Sequence, residues 1–265
     1  MISSKYNFII WDFHGTMTDH QLRMIRSYNR AGKVVFGHGF DQTFFQQALT
    51  RPAHQTHDGN GLSHNDFILE YFGQFSHFQL PSDVDRFIQI FHQEMERTYI
   101  AIPGIIPTVK QLHSTGIEMA VSTNKSDKST IRKILNQWNL TFLADRVYNQ
   151  QDSGVRKPHP EALLKIFRDM EQKRLKVSPE TSLLIGDYIT DIHGAAGVGM
   201  DSVLIAAGSP GISFKLKKPY PTFVISEPKE LLRIVNGETK PELIREVTIG
   251  QTLWKNENWS TYKER

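Results

Sequence analysis

Short apolar runs that end in polar residues recur along this chain, and they constrain its fold most strongly. They occur at residues 8–11, 117–121, 182–185, 203–205 and 223–225. Segments with helical periodicity lie between them, at 108–114, 129–138 and 160–173. Strands that alternate with helices are typical of a parallel sheet covered by helices on both faces. The sequence therefore predicts an α/β fold with a doubly wound parallel sheet.

Residues 19–100 interrupt this alternation. They contain almost no strand-like run. Glycines and prolines separate four segments of helical pattern, at 21–31, 41–49, 65–72 and 83–98. We therefore expect residues 19–100 to form an all-helical domain inserted into a core domain of residues 1–18 and 101–236.

Residues 237–265 have a weaker pattern, in which charges are mixed with apolar side chains. We expect this C-terminal extension to be peripheral and to have no role in the chemistry. Its apolar content predicts docking either on the chain's own core or on a partner. Trp254 and Trp259 are the predicted contacts if the chain forms a homodimer.

The composition excludes several classes of protein. The 265 residues include no cysteine, which excludes disulfide frameworks, thiolate zinc sites, iron–sulfur clusters and a cysteine nucleophile. A formal net charge of +3 is too small to indicate nucleic acid binding, although it is compatible with an anionic substrate. No apolar run approaches the ~20 residues of a membrane span, and no secretory signal is recognised. We expect a cytoplasmic protein that binds neither nucleic acid nor a membrane.

Polar residues with complementary chemistry follow the predicted strands or precede a predicted helix. In chain order they are Asp12, Thr123, Asn124, Lys157, Asp187 and Asp191. Ligands of open parallel sheets bind outside the carboxyl ends of the strands, so we expect these side chains to meet in one crevice. The set suits a magnesium-bound phosphoryl group, because Mg²⁺ prefers oxygen ligands and a lysine with helix-start amides neutralises phosphate charge. Without a cation, a buried cluster of these three aspartates would repel itself.

Four segments resemble, in order, the four motifs of the haloacid dehalogenase superfamily and its phosphoglycolate-phosphatase-like members. They are Asp12-Phe13-His14-Gly15-Thr16, Val121-Ser122-Thr123-Asn124-Lys125, Lys157-Pro158-His159-Pro160 and Gly186-Asp187-Tyr188-Ile189-Thr190-Asp191. Residues 194–200 are similar to the family's small-residue turn, and the helical insertion resembles a C1-type cap. The resemblance implies a Rossmann-like core, Mg²⁺ as the cofactor, and a hydrolase acting on a phosphate ester of a small metabolite.

The resemblance also implies a role for each motif residue. Asp12 is the expected nucleophile and forms an aspartyl-phosphate. Thr123, Asn124 and Gly15 are expected to contact the phosphoryl group, and Lys157 is expected to hold that group and Asp12 together. From the residues alone, Thr123 as the N-cap of the next helix and Lys157 as a solvated lysine remain alternatives.

The metal ligands implied by the resemblance are Asp12, Asp187, Asp191 and the backbone carbonyl of His14. His14 stands where family phosphatases carry a second aspartate that serves as the general acid and base. Imidazole can fill that role near neutral pH, but it reaches differently from a carboxylate.

Three interpretations follow from His14. The protein is a magnesium-dependent phosphatase in which His14 is the acid and base, or it hydrolyses the aspartyl-phosphate slowly and acts as a weak phosphatase or a phosphotransferase. In the third, it binds a phosphate ligand as a regulatory module without efficient turnover. Dehalogenation is disfavoured, because the complete Gly186–Asp191 motif indicates a metal.

Substrate choice is expected to lie in residues 19–100. Arg51, in the polar stretch 51–61, is a candidate contact for a second anionic group of the substrate, with a solvated arginine as the alternative. Lys33 is the one lysine of this insertion and leaves Schiff-base cleavage of a phosphonate open. The sequence does not name the leaving group.

Overall fold

The computed structural model describes residues 5–41, 44, 68–69, 81–124, 127–206, 212–215, 218–241 and 246–249. Within these residues the strands are β1 (Phe8–Trp11), β2 (Glu118–Ser122), β3 (Val147–Tyr148), β4 (Ser182–Gly186), β5 (Asp201–Ile205), β6 (Ile212–Lys215), β7 (Phe223–Ile225) and β8 (Glu246–Ile249). The helices are α1 (His20–Phe36), α2 (Pro81–Arg97), α3 (Ile105–Ser114), α4 (Lys128–Gln137), α5 (Thr141–Ala144), α6 (Gln150–Ser153), α7 (Glu161–Gln172), α8 (Ile189–Val198) and α9 (Glu230–Val235), with a 3₁₀ turn at Pro179–Thr181.

The chain divides into two compact units. One comprises Met1–Asp19 and Ala101–Trp254, and the other comprises His20–Ile100 and Lys255–Arg265. In the described part of the second unit, α1 and α2 pack around aromatic side chains, with the rings of Tyr28 and Phe91 4.5 Å apart. Most of the helices predicted at 41–49 and 65–72 lie outside the described residues.

The first unit contains a six-stranded parallel sheet in the order β3-β2-β1-β4-β5-β7, as far as the described residues show. The strand order reverses at β1, because β2 and β3 lie on one side of it and β4, β5 and β7 on the other. Trp11 is in register with Val121 of β2 and Ile185 of β4. The carboxyl ends of these three central strands therefore lie side by side at the switch point where such sheets bind ligands.

Helix α7 shows how the sequence covers one face of this sheet. Its buried residues recur at helical spacing, and they are Ala162, Leu163, Ile166, Phe167 and Met170. Four of them, Leu163, Ile166, Phe167 and Met170, pack with Phe8 and Ile10 of β1 and with Leu184 of β4. Burying each large apolar side chain stabilises the fold by about 1.5–3 kcal/mol, so this layer anchors the strands from which the polar residues extend.

The α/β class and the five predicted strands are confirmed, with bounds that move by one or two residues. Strand β3 was not predicted, and neither was the antiparallel pair of β6 and β8. The pairing of β8 shows that part of the C-terminal extension docks within the chain's own first unit. Trp254 and Trp259, the predicted dimer contacts, lie outside the described residues.

The small-residue turn expected at 194–200 is wrong. These residues continue α8 to Val198, and the chain leaves the helix at Gly199, which has a φ of 78°. Ala195 is buried against the α7 cluster, so tertiary packing favours a helix where glycine-rich composition indicates a turn.

No helix in the described ranges is both long enough and apolar enough to cross a bilayer.

Asp127 is the N-cap of α4 and provides a test of the local structure. Its side chain accepts hydrogen bonds from the backbone amides of Ser129 and Thr130, at 3.0 and 3.2 Å. We expect Asp127→Ala to lower the free energy of unfolding by about 1 kcal/mol, and Asp127→Asn, which retains the acceptor, to lower it by less. Thermal unfolding of both variants measures the difference.

The same cap has a predicted pH dependence. Hydrogen bonds from the Thr130 and Ser129 side chains lower the pKa of Asp127 from 3.8 to about 2. The stabilisation by the charged cap is therefore complete above the ordinary value and is lost as the pH falls towards 2. A stability difference between wild type and Asp127→Ala that stayed constant between pH 5 and about 2 would contradict this assignment.

Candidate active site

Asp12 and Asp187 extend from adjacent central strands. Asp12 follows β1, and its backbone amide donates to the carbonyl of Ile185 at 2.8 Å, which continues the strand pairing by one residue. Asp187 follows the last residue of β4 directly. The register of the two strands therefore brings the carboxylates to the same end of the sheet, as the sequence predicted.

Lys157 reaches this point from the loop between α6 and α7. Its side chain is buried, with the residue 3% exposed. The Nζ atom lies 2.8 Å from Asp12 Oδ1, 2.6 Å from Asp191 Oδ1 and 2.8 Å from the backbone carbonyl of Ser122. A solvated lysine is therefore excluded, because this ammonium is held by three oxygen partners in the protein interior.

The carboxylates of Asp12, Asp187 and Asp191 form one cluster. One oxygen from each lies within 4.8 Å of the others. Asp191 is in the first turn of α8, where its Oδ2 accepts from the backbone amide of Tyr188 at 3.3 Å. Asp187 Oδ1 accepts from the Thr16 hydroxyl at 3.2 Å. Each carboxylate is therefore oriented by a neighbouring donor.

The electrostatics of the cluster indicate a deficit of positive charge. Burial raises the pKa of Asp12 to about 6, against the opposing charge of Lys157, and Asp191 adds to the increase. Burial and the charges of Asp12 and Asp191 raise the pKa of Asp187 well above its ordinary value. Burial disfavours the Lys157 ammonium, but Asp12 and Asp191 outweigh it and raise its pKa. Three carboxylates thus share one ammonium among the described residues.

These residues fit a divalent cation of the magnesium type. Their donors are carboxylate oxygens, which Mg²⁺ prefers, and a second cation would neutralise the charge that Lys157 leaves uncompensated. The spacing within 4.8 Å allows oxygens from different carboxylates to approach one ion.

A tight turn after Asp12 brings Gly15 against Asp187. The backbone amides of Met17 and Thr18 both donate to the carbonyl of Phe13, at 3.0 and 3.1 Å. Gly15 has a φ of 91°, and a Cβ built on it would lie 2.0 Å from Asp187 Oδ2. Position 15 therefore requires glycine for two reasons. Its backbone has a positive φ, and the Asp187 carboxylate lies where a Cβ would be.

His14 and Thr123 lie together at this end of the sheet. The Nδ1 atom of His14 is 3.4 Å from the Thr123 hydroxyl, and the histidine ring packs edge-on against Phe13 with centroids 5.1 Å apart. His14 is half-buried, and Thr123 is buried. The imidazole is thus next to the hydroxyl that is expected to contact the phosphoryl group.

Two expectations at the second motif need correction. Thr123 is not the N-cap of α4, because Asp127 has that position. The amides of Ser129 and Thr130 donate to Asp127, so these helix-start amides are occupied and do not serve as phosphate donors.

The side chain of Asn124 contacts the main chain of Lys157 at two atoms. Asn124 Nδ2 donates to the Lys157 carbonyl at 3.0 Å, and Asn124 Oδ1 accepts from the Lys157 amide at 2.9 Å. Sequence reasoning missed this contact, as well as those of Thr16 and the Ser122 carbonyl. Thr16 directly follows the glycine of the first motif, which was the available signal, whereas a backbone carbonyl carries no signal in the sequence.

Arg51 and the rest of the stretch 51–61 lie outside the described residues. Lys33 is exposed on α1 in the second unit. Its role in a reaction stays a prediction.

Residues 9–205 match the family model described as haloacid dehalogenase-like hydrolase. This match covers most of the chain, including all four motifs, and the chain belongs to the haloacid dehalogenase-like hydrolase family.

The chain is similar in sequence to curated relatives and in fold to solved structures. The chain is 29% identical over 135 residues to the phosphoglycolate phosphatase of Aquifex aeolicus (strain VF5), which covers 51% of this chain and 59% of that protein. It is 24% identical over 237 residues to the glyceraldehyde 3-phosphate phosphatase of Methanopyrus kandleri, covering 88% and 98%. The HAD-hydrolase YfnB of Bacillus subtilis, in a crystal structure bound to magnesium, superposes with a TM-score of 0.63 at 19% identity, covering 87% and 99%. This structural similarity confirms the fold.

The close approach of Gly15 to Asp187 predicts a specific loss of metal binding. We expect Gly15→Ala to weaken Mg²⁺ binding about 10- to 100-fold, because the added Cβ displaces a carboxylate of the cluster. Isothermal titration with MgCl₂ measures the effect.

Gly104→Ala is the matched control for this variant. Gly104 has a φ of 83°, and a Cβ there would meet nothing within 4 Å. Both variants bear the cost of a left-handed alanine, about 1–2 kcal/mol, but only Gly15→Ala adds a clash with Asp187, so a loss of Mg²⁺ affinity is expected in Gly15→Ala alone. Wild-type affinity in Gly15→Ala would contradict the role given to Asp187.

Proposed function

We propose that this protein is a magnesium-dependent phosphatase that hydrolyses a small phosphate monoester through an aspartyl-phosphate on Asp12. The observation that carries the proposal is the buried Lys157 ammonium between Asp12 and Asp191, beside a third carboxylate. Membership of a hydrolase family and relatives named as phosphatases support it.

Asp12 is the proposed nucleophile. A carboxylate oxygen of Asp12 attacks phosphorus, so that an O–P bond forms to Asp12 while the ester O–P bond breaks. The hydrogen bond from Lys157 to Oδ1 orients the carboxylate for this attack. Water then attacks the phosphorus of the aspartyl-phosphate and releases inorganic phosphate and Asp12.

Lys157, Thr123 and Gly15 are proposed to bind the phosphoryl group. The ammonium at the centre of the cluster compensates charge on the phosphoryl oxygens, and the buried Thr123 hydroxyl donates to one of them. Asp12, Asp187, Asp191 and the carbonyl of His14 would hold Mg²⁺, which when bound supplies further charge compensation for the phosphoryl group.

His14 is proposed as the general acid and base. The protonated imidazole gives its proton to the departing ester oxygen, and the neutral ring then accepts a proton from the attacking water. Its distance of 3.4 Å from the Thr123 hydroxyl supports this role, because it places the ring beside a proposed phosphate contact.

Residues 19–100 are proposed to act as a cap domain on the core of residues 1–18 and 101–236, with residues 237–265 as an extension. In this proposal the cap selects the leaving group, and Arg51 contacts a second anionic group of the substrate. Substrates of the kind named for the relatives, a phosphoglycolate and a triose phosphate, are the first to assay.

Asp12→Asn tests the proposed nucleophile. With Mg²⁺ and a panel of phosphate monoesters, we expect kcat to fall about 10⁴-fold or more, because the amide cannot form the acyl phosphate. Phosphate release measures turnover, with and without EDTA. Asp145→Asn removes a charge from an exposed residue and should retain wild-type turnover.

The outcomes of this assay separate the interpretations. Turnover in Asp12→Asn equal to wild type would contradict the proposed mechanism. A wild-type protein that accumulates phosphoprotein and releases phosphate slowly would indicate a phosphotransferase. Binding of a phosphate analogue without turnover would indicate a regulatory module.

His14 has its own test with esters of good and poor leaving groups. We expect His14→Ala to lower kcat about 10²- to 10⁴-fold, most strongly with alkyl phosphates that need a proton on the leaving oxygen. His14→Asp should retain or raise activity with aryl phosphates, because a carboxylate can also serve as the acid and base. A folded, inactive His14→Asp beside an active wild type would contradict the assignment.

A further inference from the structure

The side chain of Asn124 makes two hydrogen bonds to the main chain of Lys157. Its Nδ2 donates to the Lys157 carbonyl at 3.0 Å, and its Oδ1 accepts from the Lys157 amide at 2.9 Å. These two residues are 33 positions apart in sequence, so the contact joins the end of β2 to the loop before α7. A paired contact of this kind fixes the position and the orientation of the peptide units on both sides of Lys157.

The ammonium of the same lysine makes three further contacts. It bridges Asp12, Asp191 and the carbonyl of Ser122 within 2.8 Å. Lys157 is thus held at its backbone by Asn124 and at its tip by the acidic cluster. A four-carbon side chain has many rotamers, and fixing its base limits where the ammonium can lie.

We propose that Asn124 is a positioning residue for phosphoryl transfer, acting through Lys157. This inference rests on the proposed function, because it assigns Asn124 to the binding of the phosphoryl group by Lys157. The phosphate contact expected for Asn124 then belongs to its backbone amide, since the side chain is engaged with Lys157. An ammonium displaced by about 1 Å would lower the rate about 100-fold, so loss of the clamp affects kcat.

The test compares Asn124→Ala with a matched control at the other end of the sheet. Asn7 Nδ2 donates to the carbonyl of Lys176 at 2.8 Å, so Asn7→Ala also removes an asparagine amide from a lysine carbonyl. We expect Asn124→Ala to lower kcat about 10- to 100-fold and Asn7→Ala to leave it unchanged. In a Lys157→Ala background, Asn124→Ala should change kcat less than about twofold, because the clamp then has no ammonium to place.

A second readout needs neither substrate nor metal. Reductive methylation of the metal-free protein, followed by peptide mass spectrometry, reports the accessibility of Lys157, whose side chain is 1% exposed in the structure. Lys229, with a side chain that is 75% exposed, is the internal standard. We expect Asn124→Ala to accelerate methylation of Lys157 severalfold, and Asn7→Ala to leave it at the wild-type rate.

The two readouts separate this inference from the proposed function. If wild type turns over no phosphate ester, the proposed function fails, and the methylation rate still decides whether Asn124 places Lys157. Equal methylation of Lys157 in wild type and Asn124→Ala, or an undiminished kcat loss in the Lys157→Ala background, would overturn the inference. If Asn124→Ala does not fold, Asn124→Asp replaces it in both measurements. Aspartate has the same shape as asparagine but lacks the donor to the Lys157 carbonyl.

Discussion

A buried ammonium between two carboxylates is the interaction on which this structure depends most. Lys157 joins Asp12, which follows β1, to Asp191 of α8, and its ammonium also donates to the Ser122 carbonyl at the end of β2. Three elements that are distant in sequence meet at one nitrogen atom. Breaking a buried ion pair by removing one partner costs about 3–5 kcal/mol, because the other charge stays buried. In the proposed function, the same ion pair orients Asp12 for attack on phosphorus.

The register of the parallel sheet makes this meeting possible. Trp11 pairs with residues of β2 and β4, so the residues that follow these strands lie beside Asp12. The sheet brings the ends of these strands together, and the turn through Gly15 leaves room for Asp187 to approach Asp12 closely. The cluster has more carboxylates than Lys157 can neutralise, and this imbalance favours a divalent cation at the site.

The acidic residues could be predicted from the sequence, because Asp12 directly follows one apolar run, Asp187 lies two residues beyond another, and strand ends converge in parallel sheets. Contacts to a distant backbone could not be predicted in the same way. The hydrogen bonds of Asn124 to Lys157 and of Lys157 to the Ser122 carbonyl depend on how two loops meet. Strand β3 has two residues and is too short for a periodic signal. Helix α8 was obscured by its glycines and alanines, whose small size is what allows Ala195 to pack in the α7 cluster.

A crystal structure of the protein grown with MgCl₂ and vanadate would show whether the acidic cluster holds a metal ion and a phosphoryl group together. We expect vanadium within bonding distance of an Asp12 carboxylate oxygen, the Lys157 ammonium in contact with a vanadate oxygen, and Mg²⁺ held by Asp12, Asp187, Asp191 and the His14 carbonyl. A crystal in which vanadate binds away from Asp12, or in which both ions are absent from the acidic cluster, would contradict the proposed function.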